Sequence, residues 1–274
     1  MRLLSTLLLC ISCSVSTAHA ALAVPEGARV AIAYKTPGSD RIDGVHTDAF
    51  MIPASTQKVL TATAASLYLG LDWTFKTRLL APAGAMAQAK SNGGTLNGDL
   101  VVEFNGAPDL TRQALINLLA YAKQQGVTQI NGNILLDVSN YAGYDRGNGW
   151  SWNDLPVCFT APASAVIIDR NCVFAELKAD HIGQLAQPLI KTGQPITITS
   201  EAQVVSLKDY YSGCELEVNL DSGNNYHLTG CIPAQNGRPW PLSFAVQDPT
   251  VWGISITEWA AKKAGLSWSG KVVS

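Results

Sequence analysis

The sequence predicts an α+β chain, with strands and helices gathered in separate stretches. Apolar residues make up 47% of the 274 and charged residues only 15%, a balance that suits half-buried sheet joined by polar, uncharged loops. Alternating apolar runs occur near both ends, and three segments carry helical spacing. The stretch from Cys158 to Pro233 holds four cysteines and many turn residues, and reads as mostly β.

The first twenty residues read as a secretory leader. Arg2 supplies the positive end, Leu3 to Val15 the apolar run, and Ala18-His19-Ala20 the small-x-small cleavage site. Cys13 offers a rival, lipid modification, although Cys10 stands where such a site usually has Leu. Export into the periplasm is the expectation. Elsewhere nothing approaches the ~18 consecutive apolar residues of a transmembrane segment. A net charge of −2 gives no electrostatic footprint for nucleic acid.

Arg29 to Tyr34 alternates as a strand, and a second strand is expected near His46 to Phe50. A helix opens at Pro53-Ala54-Ser55, places Leu60, Ala64 and Leu67 on one face and stops at Gly70. Its alanines predict close packing, hence a central helix. Ala81 to Gly94 reads as a loop or boundary. Strands follow at Asp99 to Phe104 and Gly132 to Val138, flanking a helix with Leu115, Leu118, Leu119 and Ala122 on one face that ends at Gly126. A last helix begins at the capping box Ser255-x-x-Glu258 and ends at Gly265, before a strand-like Leu266 to Val273. No internal repeat is evident.

Four cysteines beyond the leader, Cys158, Cys172, Cys214 and Cys231, favour disulfides in an exported chain. Three pairings are possible. The local ones, Cys158–Cys172 and Cys214–Cys231, are simplest and close loops worth roughly 3 kcal/mol each. His46, His181 and His227 lie far apart and no Cys-x-x-Cys occurs, so no metal and no cofactor is expected.

Ser55-Thr56-Gln57-Lys58 carries the chemistry. A serine and a lysine three apart on a helix share a face. The hydroxyl becomes a nucleophile when a base within hydrogen-bond reach takes its proton, and an uncharged lysine can be that base. The helix start adds N–H groups suited to an oxyanion. The bare string has little weight: chance yields roughly one such match in a chain like this, and a capping serine beside a solvated lysine would look the same. A Ser-His-Asp site is disfavoured, since no Gly-x-Ser-x-Gly frames a serine near His46 or His227.

The context is more informative. Phe50 to Val59 closely resembles the active-site segment of penicillin-binding proteins and serine β-lactamases. Gly98-Asp99-Leu100, Trp150-Ser151-Trp152-Asn153-Asp154, Cys158-Phe159-Thr160-Ala161-Pro162, Asp169-Arg170-Asn171-Cys172 and Phe244-Ala245-Val246-Gln247-Asp248 narrow it. Together they resemble the class C low-molecular-mass penicillin-binding proteins, the D-alanyl-D-alanine carboxypeptidase/endopeptidases. The resemblance runs from about Val24 to the last residue.

That resemblance implies an incomplete β-lactamase/transpeptidase-like catalytic domain interrupted by two inserted, mainly β domains. The expected boundaries are 1–20 signal peptide, 21–80 catalytic, 81–162 with 247–268 inserted domain II, 163–246 inserted domain III, and 269–274 the return. It also implies Ser55 as nucleophile, Lys58 as general base, and Asp154 and Phe159 lining the substrate groove. The partners implied are peptidoglycan stem peptides and cross-links as substrates, with β-lactams as inhibitors. The family's Ser-x-Asn and Lys-Thr-Gly have look-alikes in Ser222-Gly223-Asn224 and Lys191-Thr192-Gly193, but their order is reversed and both read as turns. The genuine elements are expected beyond Ser274, so weak or absent activity is expected of this chain. The rival readings are an inactive truncated product and a non-catalytic peptidoglycan-binding protein using Tyr141, Tyr144, Trp150 and Trp152.

Overall fold

A computed structural model describes residues 24–221 and 223–274, so the expected leader lies outside the described residues. The chain divides into two compact units, the first ending at Trp73 and the second beginning at Thr74. In the first, β1 (Ile32–Lys35) and β2 (Ile42–Val45) form an antiparallel hairpin, and a 3-10 turn (Ala54–Thr56) leads into α1 (Gln57–Leu69). The second strand therefore lies ahead of its expected place at His46 to Phe50. His46 takes a left-handed φ of 48° and its carbonyl accepts the Ala49 N–H, so a tight turn occupies those residues instead.

The second unit opens with β3 (Arg78–Leu80), α2 (Ala85–Ser91), β4 (Thr95–Asn97), β5 (Leu100–Glu103), α3 (Arg112–Gln124), β6 (Gln129–Asn131) and β7 (Ile134–Asp137). Next come β8 (Cys172–Lys178), β9 (Gln187–Leu189), β10 (Thr197–Ser200), β11 (Gln203–Val205), α4 (Leu207–Tyr211), β12 (Leu216–Leu220), β13 (Asn225–Pro233) and β14 (Trp240–Ala245). α5 (Pro249–Ala264), β15 (Ser267–Trp268) and β16 (Val272–Val273) follow. The mixture of helix and sheet agrees with the predicted class.

Two hydrophobic cores lie within this unit. The first packs α3 and α5 together, burying Leu115, Leu119, Trp252, Ile256 and Ala260, with Leu118 half-buried. Thr111 caps α3 by accepting the Ala114 N–H at 3.1 Å. α5 starts at Pro249, six residues before the expected capping box. Asp248 accepts the Val251 N–H at 2.9 Å, and proline suits the first helical position; Ser255 sits mid-helix, donating to the Val251 carbonyl. The expected loop at Ala81 to Gly94 holds α2, because alanine is the best helix former and Ala85 and Ala89 can be buried against the core. The second core surrounds β13, which pairs with β12 antiparallel and with β10 and β11 in parallel. Tyr226 packs on Phe244 and donates to the Ala245 carbonyl at 2.6 Å; burial pushes its hydroxyl well above the usual phenol range.

A small stacked repeat, absent from the sequence reading, braces the first core. Leu96-Asn97-Gly98-Asp99-Leu100, Ile130-Asn131-Gly132-Asn133-Ile134 and Trp268-Ser269-Gly270-Lys271-Val272 each run from strand through a glycine corner into strand. They stack in parallel register as β4, β6 and β15 on one side of the corner and β5, β7 and β16 on the other. The corners are tied by polar side chains. Asn131 Nδ2 donates to Asn97 Oδ1 at 3.2 Å and Ser269 Oγ to Asn131 Oδ1 at 3.3 Å. Asp99 Oδ1 accepts the Asn133 N–H at 2.6 Å, and Asn133 Oδ1 accepts the Lys271 N–H at 2.9 Å. The arms are too short and too unevenly spaced to form a period in the sequence.

Close stacking leaves no room for a side chain at the middle corner. A Cβ on Gly132 would lie 2.6 Å from both the Asp99 carboxylate and the Gly98 carbonyl oxygen. Gly132→Ala is therefore expected to cost about 1–3 kcal/mol. A urea unfolding midpoint equal to that of the parent would contradict this packing.

Candidate active site

The first unit positions the serine–lysine pair through the turn that precedes α1. The Pro53 carbonyl accepts both the Thr56 N–H at 3.0 Å and the Thr56 hydroxyl at 2.5 Å. Ala54, between them, has φ 44°, a left-handed conformation that costs a residue with a Cβ roughly 1–2 kcal/mol. This corner delivers Ser55 to the entry of the helix. Lys58 Nζ, one turn on, donates to Ser55 Oγ at 2.9 Å. The first two expected site residues are thus in direct contact.

Their surroundings differ from the expectation of a central helix. Every residue of α1 is exposed, including Leu60, Leu67 and Tyr68, the last at 89%. Within its unit α1 packs principally on the 3-10 turn before it. Thr61, Thr63 and Ser66 turn their hydroxyls back onto carbonyls four residues earlier, so even the polar positions bond within the helix. An amine accepts a hydroxyl proton only in its uncharged form, and a dry, apolar setting favours that form. Within the first unit both partners are exposed.

Asp154 and Phe159 belong to the second unit and share one loop of short turns, Trp152–Asp154 and Cys158–Thr160. Thr160, fully buried, ties them by donating to the Asp154 carbonyl at 2.7 Å. Asp154 is half-buried, whereas Phe159 is 71% exposed and lines a cavity of about 840 Å³. The structure joins Cys158 to Cys172 and Cys214 to Cys231, the local pairing. The first bridge anchors this loop to β8.

Both look-alike strings have structural work. In Lys191-Thr192-Gly193 the Lys191 carbonyl accepts the Gln194 N–H, with Gly193 at φ 86°. Ser222 lies outside the described residues, but Asn224 is buried and its Oδ1 accepts the N–H groups of Gln247 and Asp248 ahead of α5. His46 donates to the Val30 carbonyl, and His227 sits between Thr199 and Glu201.

Sequence reasoning missed the geometry beside the first disulfide. Asp169, Arg170 and Asn171 take φ of 52°, 60° and 49°, three left-handed residues in succession without a glycine. Asp and Asn tolerate that conformation; the arginine between them conceals the signal. Asn171 is buried and holds the turn, with Oδ1 accepting the Ile168 N–H and Nδ2 donating to the Val166 carbonyl. Arg112 faces Asp169 at 2.7 Å, donates to Gln194 Oε1 at 2.5 Å and lies over the Trp252 ring.

The fold of this chain is that of a penicillin-binding protein: penicillin binding protein 4 (dacB) from Haemophilus influenzae superposes with a TM-score of 0.76 at 39% identity, over 85% of this chain and 50% of that one. The same protein complexed with a β-lactam gives 0.69 at 35% identity, over 85% and 48%. The D-Ala-D-Ala carboxypeptidase 3 (S13) family matches residues 15–274, and the chain belongs to that family. The D-alanyl-D-alanine carboxypeptidase DacB of Haemophilus influenzae is 38% identical over 252 residues, 91% of this chain and 51% of that protein. The chain spans about half the length of the relatives it matches.

The left-handed turn gives a direct test. Glycine escapes the left-handed penalty of roughly 1–2 kcal/mol but adds unfolded-state entropy of about 0.5–1. Arg170→Gly is expected to hold or slightly raise stability, and Arg170→Val to lower it by about 1 kcal/mol or more, since a β-branched residue suits that conformation least. Thermal melts that rank valine at or above glycine would refute the assignment.

Proposed function

We propose that this chain carries the acylating part of a serine-type D-Ala-D-Ala carboxypeptidase/endopeptidase that trims peptidoglycan peptides in the periplasm. One observation carries the reading: the 2.9 Å contact between Lys58 Nζ and Ser55 Oγ at the entry of α1, in a chain of this family. Ser55 Oγ attacks the carbonyl of the penultimate D-alanine while Lys58, uncharged, takes the hydroxyl proton. The peptide C–N bond breaks, the proton passes to the departing amine, and D-alanine leaves. Water then cleaves the acyl-serine ester, releasing the shortened peptide as a carboxylic acid and restoring the serine.

Asp154 and Phe159 serve in substrate recognition under this proposal, on the strength of the motif resemblance and their shared loop. A β-lactam enters by the same attack and leaves slowly; a relative's solved complex with a β-lactam favours that sensitivity. We assign residues 21–73 to the catalytic domain, 74–162 with 247–274 to inserted domain II, since β3 pairs with β5 and β16 with β7, and 163–246 to inserted domain III. The second hydrophobic core, whose buried members run from Ala175 to Phe244, lies wholly within 163–246 and favours domain III as a unit of its own. Export by a cleaved leader at residues 1–20 fits the two disulfides, and among the described residues no helix is long and apolar enough to cross a membrane.

The exposure of α1 adds a condition: the pair works fully only when that helix is covered, so this chain alone is expected to acylate weakly. With fluorescent penicillin, labelling should be faint and map to Ser55. It should vanish in Ser55→Ala and fall about 10²-fold or more in Lys58→Ala, the scale of a lost general base. Label that persists in Ser55→Ala would overturn the assignment, and rapid stoichiometric labelling of this chain would overturn the need for cover.

A further inference from the structure

The string Phe244-Ala245-Val246-Gln247-Asp248 takes no part in the chemistry at Ser55, yet its glutamine stands where distant stretches of the second unit meet. Gln247 Nε2 donates to the Leu155 carbonyl and to the Ala245 carbonyl, both at 2.9 Å. Gln247 Oε1 accepts from Arg146 Nη2 at 2.7 Å, and the main-chain N–H donates to Asn224 Oδ1 at 2.8 Å. Arg146 and Leu155 lie 101 and 92 residues away along the chain, so this junction is tertiary and not a local turn. A carboxamide suits it, because the oxygen accepts from a guanidinium while the nitrogen donates to a carbonyl. A glutamate would accept but could not donate.

Leu155 directly follows Asp154. The loop that holds them, Trp152 to Thr160, contains only two short 3-10 turns, so its placement depends on bonds to its surroundings. The later half has three anchors: the Cys158–Cys172 disulfide, the bridge of Val157 to Phe244, and the Ala245 N–H, which donates to the Pro156 carbonyl at 2.8 Å. Thr160 also bonds to Asp154 and Leu155, but from within the loop. Among the described residues, the Gln247–Leu155 hydrogen bond is what ties the Trp152–Leu155 stretch to the rest of the unit. Arg146 orients the amide: with the guanidinium on its oxygen, the nitrogen is left for Leu155.

We propose that Gln247, oriented by Arg146, is a positioning residue that fixes the Asp154 carboxylate for substrate. It acts through the Leu155 carbonyl and touches no substrate itself. The inference rests on the recognition role proposed above for Asp154 and adds to it the group that holds that residue in place. Binding groups work when held to within about 0.5 Å of their productive geometry, which an untied loop does not provide.

Two readouts on the full chain test this role. Hydrogen exchange needs no acylation. The Leu155 and Val157 amides are expected to exchange about fivefold or more faster in Gln247→Glu and Gln247→Met, the scale of one lost hydrogen bond, while those of α3 keep the parent rate. Gln247→Glu retains an acceptor for Arg146, which guards against a variant that simply unfolds. The second readout is acylation of Ser55, followed by mass spectrometry, with benzylpenicillin and with a penicillin bearing a side-chain ammonium, which a carboxylate attracts. The parent is expected to favour the ammonium compound. Gln247→Glu should cut that preference about fivefold or more, through a higher half-saturating concentration and not a slower limiting rate. Asp154→Ala should remove the preference, and adding Gln247→Glu to it should change nothing further. Unchanged loop exchange, faster exchange throughout α3, or a preference lost in Asp154→Ala but kept in both Gln247 variants would overturn the positioning role. A preference that survives Asp154→Ala, or is absent from the parent, would instead sink the recognition reading on which that role rests.

Discussion

The hydrogen bond from Lys58 to Ser55 is the contact on which the functional account depends, and the exclusion of water is the constraint on it. Side-chain geometry is already in place: the left-handed Ala54 turns the chain into α1, and the helix sets the amine one turn above the hydroxyl. Within the first unit, no other element covers the helix. Its leucines and Tyr68 are exposed, an arrangement that leaves apolar area unburied. The chain spans about half the length of the relatives it matches, and burying that apolar face would add stability.

The second unit solves a different problem. Its three stacked corners cannot rely on a helix-like internal ladder, so each corner's polar side chain satisfies the next corner's backbone or side chain. That arrangement needs glycine where Gly132 and Gly270 stand, because the neighbouring corner occupies the space of a Cβ. The α3–α5 pair then packs as the apolar floor of the first core. Asn224, buried just before β13, accepts the Gln247 and Asp248 N–H groups ahead of α5. Thr160 ties the loop with Asp154 and Phe159 together from within, and the Cys158–Cys172 bridge joins it to β8.

Much of this was legible in residue patterns. The helix stops at Gly70, Gly126 and Gly265 follow from glycine's access to positive φ, and the apolar stripe of α3 from its spacing. The serine–lysine contact was legible because a helix imposes it on residues three apart. The misses have physical causes. The capping box at Ser255 points to a later start for α5 than Asp248-Pro249 provides, but proline at the first position is the firmer start, and alanines within 81–94 form α2 because they can be buried. Stacked corners and the left-handed run at Asp169 to Asn171 depend on contacts between residues far apart in the chain, which local pattern does not carry.

The claim that cover activates the pair is tested most directly by one rate. Acylation of Ser55 by a β-lactam would be followed by intact-mass spectrometry in this chain and in the same chain fused to the remaining half of the Haemophilus influenzae relative. The account predicts a rise of about 10²-fold or more in the fused, folded protein, lost again when Lys58 becomes alanine. Equal rates with and without the added half, in a fusion whose melt is cooperative, would contradict it.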